Sequence, residues 1–424
     1  MHTADTILFN IDQLVTLASQ GQARRGPAMQ ELSIIQDGAV VILEGDILDC
    51  GPTEAILKQY QSANLMDCSG MAVIPGLVDP HTHAIYGGER IDEFEMRIQG
   101  HSYMDIMSAG GGINSTVKAT RQASLSELVE KGKALLQRML VLGTTTIEIK
   151  SGYGLTTDDE LKMLMAMEEL DLLLPVDIVP TFLGAHAIPP EYRDDPESYV
   201  QLILDEMIPY VATWYEQSRF KQQGVPLFID VFCEQNAFTL EQSQRILEAG
   251  QRVGFKIKAH VDEFTSMGAV EMGLALGATS LDHLDVSTSE DLQRIAESDT
   301  LAVMIPTVNF NLGQTHFADA RSFIDRGGAL ALTTDVNPGS APCPSQVLVM
   351  AIATRYQRVL PSEALCACTL NAAHAIGMGE RIGSIEAGKQ ADLVLLNVPD
   401  YRYLSYYFGD TPIQSVMKRG VFIS

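Results

Sequence analysis

Histidines and carboxylates recur along this chain in a pattern suited to metal-assisted hydrolysis. His81 and His83 are separated by one residue. In an extended segment, positions i and i+2 project to the same side, so both imidazoles can reach one ion. His260 and Asp335 lie far downstream and would complete a set of three imidazoles and one carboxylate. Such a set suits a single zinc-like ion with one position left for water. Water held that way has its pKa lowered towards about 7, which yields a hydroxide at neutral pH. Glu263, three residues beyond His260, could then move a proton between the attacking water and a leaving nitrogen. His283 would hydrogen-bond the hydroxide or polarise the substrate carbonyl, and Asp335 can share the role of base. The chemistry these residue types support is hydrolysis of a carbon–nitrogen bond.

Residues so distant in sequence meet only if regular elements bring them together. Residues 73–78 form a short apolar, β-branched run that predicts a strand buried on both faces, with His81 and His83 at its exit. Seven further strand-like runs follow, at 144–150, 176–182, 226–233, 255–260, 278–283, 301–306 and 329–335. Between them, stretches such as 124–142, 158–172 and 239–253 space their apolar residues near 3.6 and predict helical crossovers. Eight strand–helix repeats predict an α/β fold, the TIM-like (β/α)8 barrel, whose strand exits all face one cavity. A doubly wound sheet is the main rival, but no Gly-x-Gly-x-x-Gly follows an early strand. Reading the exits is then a test, and five of the nine histidines (His81, His83, His186, His260 and His283) fall there. A lone histidine, or an aspartate before a turn, is more often structural. The joint pattern is what points to a site. Lys150 ends the second run, which is the wrong strand for a metal-bridging carboxylated lysine, so one metal is expected.

Both ends of the chain carry short strand-like runs broken by turn signals. Residues 1–70 read as strands with tight turns at Asp37-Gly38 and Glu44-Gly45, and residues 377–424 repeat the pattern around Arg419-Gly420. Neither end has enough apolar strand to stand alone. Together they predict a small β-sandwich domain built from both termini, flanking a barrel over residues 71–376. The chain carries 29 Lys+Arg against 54 Asp+Glu, a net charge of −25. Such a surface repels phosphate backbones and anionic lipid, so neither nucleic acid nor a membrane is expected as a partner. No segment has the ~18 uninterrupted apolar residues that span a bilayer. The first residues lack a secretory signal's basic start and apolar stretch, and six scattered cysteines make no disulfide framework. A reduced, cytoplasmic protein acting on a small molecule is expected.

With these residues in view, the chain resembles the amidohydrolase superfamily. The resemblance is carried by the His-Thr-His exit, the histidines after the fifth and sixth strands, the late aspartate, and Gly383-Ser384-Ile385-Glu386-Ala387-Gly388 returning towards the sandwich. More narrowly, it is similar to the imidazolonepropionase family over nearly its whole length. The specific stretches are Gly87-Gly88-Glu89-Arg90, Asp92-Glu93-Phe94 and Ala109-Gly110-Gly111-Gly112-Ile113. Glu148-Ile149-Lys150-Ser151-Gly152-Tyr153-Gly154-Leu155, Thr181-Phe182-Leu183-Gly184-Ala185-His186 and Asp335-Val336-Asn337-Pro338-Gly339-Ser340 complete them. The resemblance implies hydrolysis of 4-imidazolone-5-propanoate to N-formimidoyl-L-glutamate with one zinc or iron ion per subunit. It also implies that Arg90, Tyr153, His186, Glu263, Asn337, Gly339 and Ser340 meet the substrate. Physics agrees on Arg90, because so acidic a chain repels an anionic substrate unless a fixed cation receives it, and a guanidinium fork suits a carboxylate.

A homodimer is common among barrels of this kind. The chain departs from the family in Tyr406-Tyr407-Phe408-Gly409, where His-Phe-Gly is more usual, in Asn236 near the fourth strand, and in Asp285 after His283-Leu284. Two other readings compete. A deaminase of a nucleobase or related heterocycle would share the metal site without needing Arg90 and Tyr153. A scaffold that had lost activity would tend to lose ligands, and all four are present.

Overall fold

The computed structural model describes residues 2–101 and 111–423, so Ala109 and Gly110 of the glycine-rich run lie outside the described residues. Eight parallel strands pair in sequential order: Leu77–Asp79, Thr144–Lys150, Asp177–Ala185, Phe228–Cys233, Lys256–Val261, Ser280–His283, Leu301–Met304 and Leu330–Leu332. The second and third are buried at every position, although the second carries three threonines, Glu148 and Lys150 among its seven residues. Two of the crossover helices begin at capping boxes: Ser124 with Glu127 opens Leu125–Val141, and Thr239 with Gln242 opens Leu240–Arg252. This is the (β/α)8 barrel.

Among the described residues no backbone ladder joins the eighth strand to the first. Side chains close that seam instead. The Asp79 carboxylate accepts from Thr334 Oγ1 at 2.6 Å and from Thr334 N at 3.1 Å. Gln346 Nε2 donates to Val78 O at 3.0 Å and lies 3.4 Å from Leu332 O. Just beyond the seam, the backbone N–H of His83 donates to Val336 O at 3.0 Å. The loops bearing His83 and Asp335 are thereby held against each other.

Both ends of the chain enter a second, mixed sheet. Ala72–Pro75 pairs there with Leu393–Leu396 and with Thr6–Val15, which in turn pairs with Ile34–Leu43. Leu8, Ile11, Leu14, Val73, Leu393, Leu395 and Met417 fill its interior. An ion cluster fastens this sheet to the barrel: Lys418 Nζ lies 2.7 Å from Asp177 Oδ2 and 2.6 Å from Asp392 Oδ2. Asp177 opens the third barrel strand, at the end opposite the strand exits.

Two expectations need correction. The run 73–78 is not one barrel strand. Its first half belongs to the terminal sheet, and only Leu77–Asp79 joins the barrel, with Gly76 at the switch. A β-carbon on Gly76 would sit 2.2 Å from Thr145 Oγ1, so the chain can change sheets there only without a side chain. Burial on both faces looks the same in sequence whether one sheet or two supplies it. Asp37-Gly38 is not a turn either, since it lies inside the continuous strand Ile34–Leu43. Asp37 takes φ +48°, and Gly38 faces Leu14 so closely that a β-carbon would lie 2.6 Å from Leu14 Cβ. The pair bends the strand without reversing it. Glu44 and Gly45, by contrast, both have positive φ and make the expected hairpin turn.

Candidate active site

Four buried groups converge where the barrel strands end. His83 Nε2 lies 3.4 Å from His260 Nε2 and 3.5 Å from Asp335 Oδ1, and His81 Nε2 lies 3.6 Å from the same carboxylate oxygen. Ligand atoms of His81, His83 and His260 fall within 4.8 Å of one another, as do those of His81, His283 and Asp335. His81 Nε2 and Asp335 Oδ1 are buried with no hydrogen-bond partner. A buried polar atom left unpaired costs about 1–3 kcal/mol, so a cluster of them aimed at one point fits a cation and little else. Burial first, then neighbouring rings and the Lys150 ammonium, hold His81, His83 and His283 well below the usual histidine pKa. They are neutral imidazoles, the form that ligates metals.

The strand exits reach this point by local strain. Asp262, His283, Leu284 and Asp335 are not glycines, yet they take φ of +54°, +81°, +64° and +48°. Such conformations cost about 1–3 kcal/mol each and persist where the surroundings over-determine them.

Beneath the histidines lies a layer the sequence reading passed over. Asp282 Oδ2 accepts from His81 Nδ1 at 2.6 Å, and Asp230 Oδ2 stands 3.0 Å from His260 Nδ1. Lys150 Nζ is 2.8 Å from both Glu148 Oε1 and Asp230 Oδ2, and Lys258 Nζ is 3.3 Å from Asp282 Oδ2. Burial works against the Lys150 ammonium, but Asp230, Glu148 and Asp282 raise its pKa above the ordinary lysine value. It is a counter-ion to the Asp230 and Asp282 carboxylates that stand behind His260 and His81. Polar residues at strand positions 148, 150, 230, 258 and 282, inside otherwise apolar runs, were the signal available in the sequence.

Above the histidines is a cavity of about 110 Å³ lined by Arg90, Ile113, Tyr153, His186, Glu263, Asn337 and Ser340 together with His83, His260, His283 and Asp335. Glu263 Oε2 is 3.8 Å from His283 Nε2. Burial, then Asp335 and Asp285, push the Glu263 carboxyl well above the usual carboxylate range. His186 stacks on His83 with ring centres 4.8 Å apart, and burial holds its pKa down at about 3. Asn337 spends its amide on the turn itself: Nδ2 donates to Asp335 O at 2.8 Å and Oδ1 accepts from Gly339 N and Ser340 N.

Gly339 does not line the cavity but makes room for the cation there, since a β-carbon would fall 2.2 Å from Arg90 Nη1. Arg90 is already paired, because Glu93 Oε2 lies 2.9 Å from Nε and 2.8 Å from Nη2. A second guanidinium, Arg97, donates to Gly339 O at 3.2 Å. Burial, then the charge of Arg90, lower the Arg97 pKa. Arg97 thus braces the turn behind Arg90 and does not line the cavity itself, and the sequence reading named only Arg90. His316 donates from Nε2 to Asp285 O at 2.7 Å and pins the loop after the sixth strand.

A model of the amidohydrolase family matches residues 235–423. The chain is 49% identical to an imidazolonepropionase of Chloroflexus aggregans over 99% of its own length and 98% of that protein's. It is 48% identical to an imidazolonepropionase of Herpetosiphon aurantiacus, covering 99% and 97%. Among solved structures it is similar to a zinc-bound adenosine deaminase from Xanthomonas campestris, with a TM-score of 0.71 at 18% identity over 99% of this chain and 93% of that one. It is likewise similar to E. coli guanine deaminase, with a TM-score of 0.72 at 16% identity over 99% and 98%. At such identities the deaminases speak for the barrel and its flanking sheet alone. Near-half identity sustained from end to end with proteins of a single name speaks for more: the chain belongs to the imidazolonepropionase family of amidohydrolases.

Proposed function

We propose that this chain opens the ring of 4-imidazolone-5-propanoate, adding one water to give N-formimidoyl-L-glutamate in histidine degradation. The observation that carries this reading is the placement of unpaired imidazole and carboxylate atoms, an acid–base carboxyl and the Arg90 guanidinium around one small cavity. The names of the full-length relatives support it.

His81, His83, His260 and Asp335 would hold a zinc or iron ion, since the orphaned His81 Nε2 and Asp335 Oδ1 and the neutral His81 and His83 rings fit either. Such an ion supplies Lewis acidity, making water more acidic and a carbonyl carbon more electrophilic. The remaining work belongs to the chain. Glu263 takes a proton from the attacking water and returns it to the ring nitrogen as the carbon–nitrogen bond breaks. Burial raises its pKa, which makes the carboxylate a stronger base towards that water. Asp335 can share the base role. Neutral His283 donates a hydrogen bond to the oxygen that gains charge as water adds. The propanoate arm lies towards Arg90, which Glu93 holds by its Nε and Nη2 edge.

The test is an absorbance assay of imidazolone consumption with and without chelator. Loss of turnover on chelation, and its return with added metal, are expected. Arg90→Met is expected to raise KM strongly with metal content unchanged, and an unchanged KM would remove Arg90 from the site. Release of ammonia from a nucleobase, with no imidazolone consumed, would favour the deaminase reading. A purified chain that retains no stoichiometric metal would favour a scaffold.

A further inference from the structure

Glu160 has no part in the chemistry above, yet it is fully buried beside the cavity. It sits in the first turn of the helix Thr157–Leu173, and its carboxylate turns back to the loop that leaves the second barrel strand. Oε1 accepts the N–H groups of Gly154 and Leu155 at 2.8 Å each, and Gly152 N lies 2.9 Å from Oε2 and 3.1 Å from Oε1. Backbone amides converging on one acceptor make an anion nest, and here the protein fills it with its own side chain. The carbonyls of the same loop are taken from the other side. Arg121 Nε donates to Gly154 O at 2.6 Å and Nη2 to Leu155 O at 3.1 Å. Gly152 O stands 3.0 Å from His186 Nδ1. Tyr153, between these clamped residues, is the member of the loop that lines the cavity.

A carbonyl can only accept, so His186 must carry its proton on Nδ1. In a neutral ring that leaves Nε2 as an acceptor. We infer that Glu160, backed by Arg121, is a positioning residue for substrate binding: it fixes the place of Tyr153 and, through the Gly152 carbonyl, the tautomer of His186. The wall then offers a ring-nitrogen acceptor and a phenol to a flat heterocycle bearing N–H donors. That class of substrate rests on the hydrolysis reading, while the positioning itself does not.

The test compares zinc-loaded wild type with Glu160→Gln and Arg121→Met, using isotope-labelled histidine and His186→Gln to assign the ring signals. Wild-type His186 is expected as the Nδ1–H tautomer. In Glu160→Gln the two tautomers mix, KM for imidazolone propanoate rises about tenfold or more, and kcat stays within about threefold at unchanged metal content. Arg121→Met shifts both readouts the same way by less. It also keeps the inference testable should Glu160→Gln fail to fold. An unmixed Nδ1–H tautomer with normal KM in the folded variants overturns it, as does a fall in kcat at constant KM. If wild type consumes no imidazolone, the hydrolysis reading fails and the tautomer comparison alone still decides the role of Glu160.

Discussion

Two polar layers lie one above the other in the same barrel, equally hidden from solvent and opposite in how they are satisfied. In the lower, Lys150, Glu148, Asp230, Lys258 and Asp282 meet one another at 2.8–3.3 Å. In the upper, His81 Nε2 and Asp335 Oδ1 have no hydrogen-bond partner. Burying charge is tolerable in the first case because each ion has a counter-ion. In the second, the same burial stores an unmet demand that a cation would answer. The lower layer is a fixture and the upper one a socket. What separates them is partner count, since both are buried to the same degree.

Substitutions should therefore have opposite signatures in the two layers. The largest expected effect is from Asp335→Asn, which should abolish stoichiometric metal and turnover while leaving the Tm of the metal-free protein unchanged or higher. Burial already raises the Asp335 carboxyl well above its usual range, so the amide removes a charge that is costly to bury without a cation. A large fall in metal-free Tm would show that Asp335 is a structural member and erase the contrast. Next is Lys150→Met, which strands the Glu148 and Asp230 carboxylates and should cost about 3–5 kcal/mol in denaturant unfolding. A neutral result would mean that water or a proton replaces the lysine at little cost. Smallest is Asp282→Asn, which links the layers. Its loss of charge behind His81 should weaken metal affinity roughly 10–100-fold, measured by competition with a chromophoric chelator, with a stability loss below that of Lys150→Met because only Lys258 is left without a carboxylate.

The upper layer was legible in the sequence because its members close strands. His81, His83, His260, His283 and Asp335 follow apolar runs, and a parallel barrel sends every such exit to one face. The lower layer was not, because Asp230 acts through Lys150 and His260 and Lys258 through Asp282, and nothing local says which buried charge meets which. Arg97 escaped for a related reason. It lies on Ile91–Ile98, a helix with no buried residue, where an arginine reads as solvated surface until the fold sets Gly339 beside it. The strand order of the barrel followed from spacing alone. The split of residues 73–78 between two sheets did not, since both halves are equally apolar.

That split has a consequence for how this protein can change. Ala72 to Asp79 works as a ruler laid between two sheets, with no slack at Gly76 and with His81 and His83 a few residues past its end. Adding or deleting one residue along it would flip the following side chains to the opposite face, turning the imidazoles away from His260. Loops above the barrel can gain or lose length freely by comparison, so grafts that aim at a new substrate should begin downstream of residue 83 and leave the ruler uncut.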